Sequence, residues 1–292
     1  MKENIPSTTN IVELQGQLVN NTLEVKTDRN GRKFISGVLE INTGGDGDEC
    51  VVPVEFLQYE LKKDGSRNAI YDRTLKMTEW PSVASSGNQN AVNVSISRGE
   101  IIDNSFYSER NQKIVENWRV RAVFVDQASR LAPRNNSFTI QGVIDNIKEI
   151  VDGEGEPTGE LKIDLLCVGF GERIVRIPMY ISNKEGKQYV EANWTPGDLV
   201  TTYGEIIYET RVTEIKQDTA FGKGNSKKFT STVRKLVINS GTSPKAEGDH
   251  LYDRRKMLNL REASLKNIEE RALANSSIKA TVGDSGNPFL QF

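Results

Sequence analysis

The chain holds two versions of one β-rich segment, and that repeat limits its folds more than any other feature. Arg98-Gly99-Glu100-Ile101-Ile102 returns as Tyr203-Gly204-Glu205-Ile206-Ile207, 105 residues on. Leu14-Gln15-Gly16, followed by Asn20, returns as Ile140-Gln141-Gly142, followed by Asn146, at an offset of 126. Pro53 in VVPVEF matches Pro178 in VRIPMYI at an offset of 125, which leaves the first copy 20 residues longer between Pro53 and Gly99. Two copies of one domain is the economical reading.

Within each copy the apolar residues alternate with polar ones, as half-buried antiparallel strands require. In copy one they stand at Val12, Leu14 and Leu18, at Ile35, Leu39 and Ile41, over Val51 to Leu57, at Val92, Val94 and Ile96, and at Trp118, Val120, Ala122 and Phe124. Asp28-Arg29-Asn30-Gly31 turns the first hairpin. If Ile35, Leu39 and Ile41 point inward, then Arg32, Phe34, Ser36 and Val38 point outward. Phe34 beside Arg32 and Lys33 is then either a platform for a base or a lone surface aromatic. The loop from Asp103 to Asn117 carries Phe106, Tyr107, Arg110 and Lys113, placing π faces and positive charge where no core needs them. Trp118 is divided between that role and the core.

From Gln58 to Asn90 the alternation fades, and LQYELKK and IYDRTLKMTEW suggest helix while 81–90 suggests loop. Residues 128–136 are the expected linker. Copy two has strands over Leu161–Val168 and Arg173–Ile181, a turn at Thr195-Pro196-Gly197-Asp198 into Leu199-Val200, and a nucleic-acid-binding candidate at Tyr203. A basic loop from Thr213 to Phe229 holds Phe221, Lys223, Lys227 and Lys228 but lacks the spacing of a phosphate-binding loop. After Pro244 an amphipathic helix is expected from His250 to Ala274, with Leu251, Leu258, Leu265, Ile268 and Ala272 on one stripe, docked on a β domain, paired with a second copy or held for a target. Residues 276–292, ending in Asn287-Pro288-Phe289, have the composition of a disordered tail.

With 38 basic and 40 acidic residues, no overall positive field draws nucleic acid, so any such binding is local. One His, no cluster with metal-ligand spacing and no nucleophile with a placed base argue against an enzyme, and no cofactor or metal is expected. The acidic turn 44–49 lacks the ligand spacing of a calcium loop. Cys50 and Cys167 are expected as buried thiols. No run is apolar enough for a signal peptide or a membrane span, so a cytoplasmic protein with no membrane contact is expected.

Gly99 with an aromatic seven residues on at Phe106, followed by a polar loop and alternating Val/Ala strands, resembles the last two strands of single-stranded DNA-binding proteins with an OB fold. Trp194 to Gly204 is similar to that family's entry into strand four, and LQGQLVNNTLEVKTDRNGRKFISGVLEI to its first hairpin. The resemblance spans most of 11–240. It implies an all-β fold of two tandem OB barrels with a C-terminal helix and disordered tail, like a divergent phage or mobile-element form. The implied divisions are an arm (1–10), domain one (11–130), domain two (137–241) and the helix and tail (242–292). It further implies sequence-independent binding of single-stranded DNA in replication or recombination, in a bacterial or phage-infected cell. Stacking by Phe106 has no match in copy two, where Arg211 stands. Pro288-Phe289 is similar to the family's partner-docking ending, with Asp284 as the only acid near it, and self-association is a further expectation. An assembly protein built from adhesive β modules and a single-stranded RNA binder are the alternatives. Because the stacking candidates precede residue 245, loss of 245–292 is expected to leave affinity within a few-fold.

Overall fold

The computed structural model describes residues 5–45, 49–216, 226–245 and 252–283. Copy one comprises β1 (Asn10–Asn21), β2 (Glu24–Thr27), β3 (Lys33–Asn42), β4 (Val51–Tyr59), α1 (Ala69–Met77), α2 (Val83–Ser86), β5 (Asn93–Asp103), β6 (Phe106–Ser108), β7 (Lys113–Val115), β8 (Trp118–Ala122) and β9 (Asp126–Ala128). Copy two comprises β10 (Asn135–Val151), β11 (Pro157–Val168), β12 (Ile174–Ile181), α3 (Lys184–Asn193), β13 (Leu199–Lys216) and β14 (Ser226–Gly241), and α4 (Arg254–Gly283) follows.

The strands of copy one pair in the closed order β1-β3-β4-β8-β5-β1, with β4 and β8 parallel and the rest antiparallel. Copy two repeats the circuit as β10-β11-β12-β14-β13-β10, again with only β12 and β14 parallel. A five-stranded antiparallel barrel closed by one parallel pair, with a helix between strands three and four, is the OB arrangement. Alternation places Ile35, Leu39 and Ile41 with Val52, Val54 and Phe56 inside the first barrel, and Ile163, Leu165, Ile177 and Met179 inside the second.

The glycines of the repeat have a steric cause. Gly99 pairs with Val12, and a Cβ there would lie 3.2 Å from the Val12 carbonyl oxygen. Gly204 pairs with Phe138, the repeat equivalent of Val12, and a Cβ there would collide with the Val237 carbonyl and the Phe138 ring. At Gly204 only glycine permits that approach, whereas at Gly99 a Cβ would need its neighbours to give by a few tenths of an ångström. Val12 also pairs with Phe138 across the antiparallel β1–β10 ladder. Each circuit thus meets the other through equivalent residues, as two subunits do about a two-fold axis. At the same joint Trp118 packs edge-on to Tyr208, their centroids 6.1 Å apart, and the Arg234 guanidinium lies 4.8 Å from the Trp118 ring.

Several expectations change. LQYELKK is not helical: β4 runs to Tyr59, and Leu61 and Arg67 form an isolated bridge. The 81–90 stretch contains α2, capped reciprocally by Ser82 and Ser85. Phe124 is 45% exposed, because β8 ends at Ala122 and Val125 turns inward in its place. The basic loop is shorter than expected, since β13 and β14 pair out to Lys216 and Ser226. Nor is the start of the chain a free arm. Ile5 is buried with Met257, and Thr8 exchanges hydrogen bonds with Val168. Cys167 is buried, which pushes its thiol up to about 12, whereas Cys50 is only partly covered. The C-terminal helix docks on copy two through Met257 and continues past Ala274 to Gly283. No helix among the described residues is long and apolar enough to cross a membrane.

Candidate nucleic-acid interface

Strand register on the outside of copy one assembles a surface that the sequence shows only in fragments. Inward Ile35 and Phe56 fix the parity, so the outward residues of β2, β3 and β4 stand opposite one another. Lys26 pairs with Phe34 and Phe34 with Tyr59, making one outward row across three strands. The next row is Glu24, Ser36 and Leu57, and the third joins Val38 to Glu55 and Glu55 to Arg121. The Phe34 and Tyr59 rings are 5.5 Å apart and tilted by 40°, and the Arg32 guanidinium lies 5.1 Å from the Tyr59 centroid. Arg32 is held by Asp28, which accepts from its Nε at 2.7 Å and from its backbone N–H at 2.9 Å. That backbone bond, then the side-chain pairing, holds the exposed Asp28 carboxyl below the usual range. Leu57 is exposed.

A cleft of about 340 Å³ runs along this face past Lys26, Val38, Leu57, Ile102 and Arg121. It adjoins a second of about 580 Å³ between Val38, Glu55 and Arg119 on copy one and Tyr208, Thr232 and Arg234 on the long hairpin of copy two. Arg119 is ion-paired with Glu55, and Arg121 with Glu100 at 2.6 Å. Arg234 donates from Nη1 to the Trp118 carbonyl at 2.9 Å, fixing the hairpin wall.

The Asp103–Asn117 loop contains the hairpin β6–β7, which forms its own two-stranded sheet. Phe106 is 46% exposed there, Tyr107 is half-buried, and Arg110 and Lys113 are exposed. Lys33 is exposed at the start of β3. Trp118 is different. At 5% exposure, with Tyr208 at its edge and Arg234 on its face, the ring belongs to the joint and offers no face to a base.

Copy two places other chemistry at the equivalent positions. Its first hairpin turn is Asp152 to Glu156, where Asp152 is held ionised first by the Glu156 and then by the Glu154 backbone N–H. On its strand face Lys162 pairs with Asp164 at 2.9 Å and Lys235 with Glu160 at 2.7 Å, and Lys235 lies 5.1 Å from the Tyr180 ring. Tyr203 is exposed on β13, at the position equivalent to Arg98. Lys227 and Lys228 sit on β14, paired with Ile215 and Glu214. Phe221, Lys223, Pro288 and Phe289 lie outside the described residues.

Four residues of this surface carry no mark in the sequence pattern, Lys26, Arg119, Arg121 and Arg234, and the outward placing of Leu57 and Tyr59 is only indirectly marked. A signal for Leu57 and Tyr59 exists in the parity of Pro53 and Glu55, once the strand is carried through Gln58. For Arg234 there is none, because its contact spans two copies.

A family model described as YorF matches residues 8–275. No curated protein matches the chain. Among solved structures, the wild-type single-stranded DNA-binding protein from Thermus aquaticus is similar at 12% identity with a TM-score of 0.52, covering 84% of this chain and 97% of that one. A deletion mutant of the same Thermus aquaticus protein matches at 13% identity and a TM-score of 0.46, covering 84% and 98%. At 12% identity the likeness is one of fold.

Proposed function

From a chain that belongs to the YorF family, a name that assigns no activity, we propose a protein that binds single-stranded DNA without sequence preference, chiefly on copy one. The observation that carries this is the outward row Lys26, Phe34 and Tyr59 with Arg32 beside it, on the strand face that OB barrels use for oligonucleotides. Bases stack on aromatic faces whatever their identity, while cations at the rim hold phosphates. The likeness in fold to a protein named for binding single-stranded DNA supports the same reading.

Carried with it are finer proposals. The molecule works in replication or recombination, as a phage-like form, and binds without catalysing a reaction. Residues 11–130 and 137–241 act as two domains, and a partner protein docks at the tail.

The test is fluorescence anisotropy of a labelled oligo-dT strand, with duplex and oligo-U as competitors. Tryptophan quenching would be a poor reporter, since Trp118 and Trp194 are buried and Trp80 is half-buried against the core, away from the row of rings. Tight binding of oligo-dT resisted by duplex supports the proposal. Preference for oligo-U moves it to RNA, and no binding to either returns the molecule to the assembly reading.

A further inference from the structure

We infer that α4 is the anchor that positions the β6–β7 hairpin for its strand, with Arg261 as the positioning residue, so that a DNA-contacting loop of copy one is set from copy two. The inference rests on the single-strand reading above and extends it to how the site is built.

The hairpin needs an anchor. It pairs with no strand of the main sheet, and a two-stranded ribbon is marginal alone. Its stem supplies Asp103, Ser105 and Glu116, and all three converge on Arg261. Arg261 is 2% exposed. Its Nη2 donates to Asp103 Oδ1 at 2.9 Å, Ser105 Oγ at 2.8 Å and Glu116 Oε2 at 3.1 Å. Its Nη1 lies 2.8 Å from Asp103 Oδ2 and donates to the Ile174 carbonyl of copy two at 3.2 Å. The guanidinium fork chelates Asp103 through two nitrogens while still reaching Ser105, Glu116 and Ile174, a geometry that the single nitrogen of lysine does not reproduce.

The ion pairs continue away from the stem. Glu116 also accepts from Arg176 at 3.1 Å, Arg176 reaches Asp145 at 2.8 Å, and Asp145 accepts from Arg254 at 2.9 Å. Carboxylates and guanidiniums therefore alternate through copy one, copy two and the helix. Helix register on copy two is fixed separately by Met257, one turn before Arg261, which is fully buried with Ile5, Val143, Leu166, Val168, Ile174 and Leu199. With Met257 seated, Arg261 faces the stem. This replaces the expectation that binding is indifferent to residues after 245: removing them takes the anchor away.

The test uses the full chain with Arg261→Met, Arg261→Lys and Glu116→Gln, the last keeping the proposal testable if Arg261→Met does not fold. Amide exchange without DNA and oligo-dT anisotropy are read on each, the latter also with Phe106→Ala or Phe34→Ala added. Exchange over 105–117 should rise by about tenfold or more in Arg261→Met while β8 and β13 stay protected. Affinity should fall about tenfold, since an unfixed loop must be ordered on binding. The Phe106→Ala penalty should vanish in that background, while the Phe34→Ala penalty persists. Arg261→Lys should not rescue, and Glu116→Gln should move each readout less in the same direction. Unchanged exchange over 105–117 with an undiminished Phe106→Ala penalty overturns the inference. If the parent protein does not bind oligo-dT, the single-strand reading fails, and the exchange arm alone still decides whether Arg261 anchors the hairpin.

Discussion

Copy one and copy two share a strand circuit, a parallel closure and the glycine that lets the fourth strand approach the first, yet they present different outer faces. On copy one the row Lys26, Phe34 and Tyr59 sets two half-buried rings side by side on the outer face, with Lys26 paired to Glu24 at 2.7 Å and Arg32 to Asp28. On copy two Lys162 and Lys235 are likewise matched, by Asp164 and Glu160, but among the described residues no such pair of rings stands beside them and the first hairpin turn is acidic. Core positions repeat because the barrel must be filled in both copies. Surface positions are free of that demand and have parted. What copy two contributes is mechanical: its long hairpin walls the cleft with Arg234, and its strands seat the helix that holds Arg261. Under the single-strand proposal, copy one is the binding unit and copy two its support.

The sharpest break of that comparison is at the joint. Trp118→Ala should cost about 3–5 kcal/mol of stability, as for a buried aromatic, and lower the melting temperature of the whole chain. Calorimetry checks it, and a stable variant that merely binds less would return Trp118 to the interface. Next in size is the platform. Phe34→Ala and Tyr59→Ala should each cost ~1–3 kcal/mol of oligo-dT affinity, whereas Tyr180→Ala on copy two should change it less than about twofold. Anisotropy titrations compare the three directly. A larger loss from Tyr180→Ala would reverse the assignment of the copies.

Smaller effects probe the rim and the anchor. Replacing Lys113 by Ala should reduce the slope of log affinity against log salt by about 0.7, the share of one single-strand phosphate. For the anchor, burial raises the Asp103 pKa, but the Arg261 bond, the Ser105 hydroxyl and the Arg261 charge outweigh it, leaving the carboxyl below its ordinary value. A depressed folded pKa means the stabilisation is present above the unfolded value and is lost as pH falls through the folded one. Glu116 and Arg176 face the same cluster and take part. The protection factors over 105–117, corrected for the intrinsic exchange rate at each pH, should therefore drop at pH values below the ordinary carboxylate range, and in Asp103→Asn they should be low already at neutral pH.

The all-β fold was legible from the sequence because a filled interior forces period-two alternation, and Gly99 and Gly204 stand at equivalent places in the strand register. The aromatic row was half legible. Phe34 stood out directly after two cations, Arg32 and Lys33, but Tyr59 sits in LQYELKK, whose residues favour helix, while its outward parity is set by cross-strand pairing. Phe124 misled for the opposite reason, since its alternation with Ala122 continues in the sequence after the strand has ended. Arg261 was beyond reach: its partners in the hairpin stem lie 145 to 158 residues away, and a stripe of Leu and Ile drew attention from the charged residue on the same helix.

The measurement that tests the asymmetry most directly is photo-crosslinking of the full chain to oligo-dT, with the modified peptides mapped. Cross-links concentrated at 26–34, 57–59 and 106–113 are the predicted result. Cross-links concentrated at 157–181 or at Tyr203, with those segments silent, would contradict it.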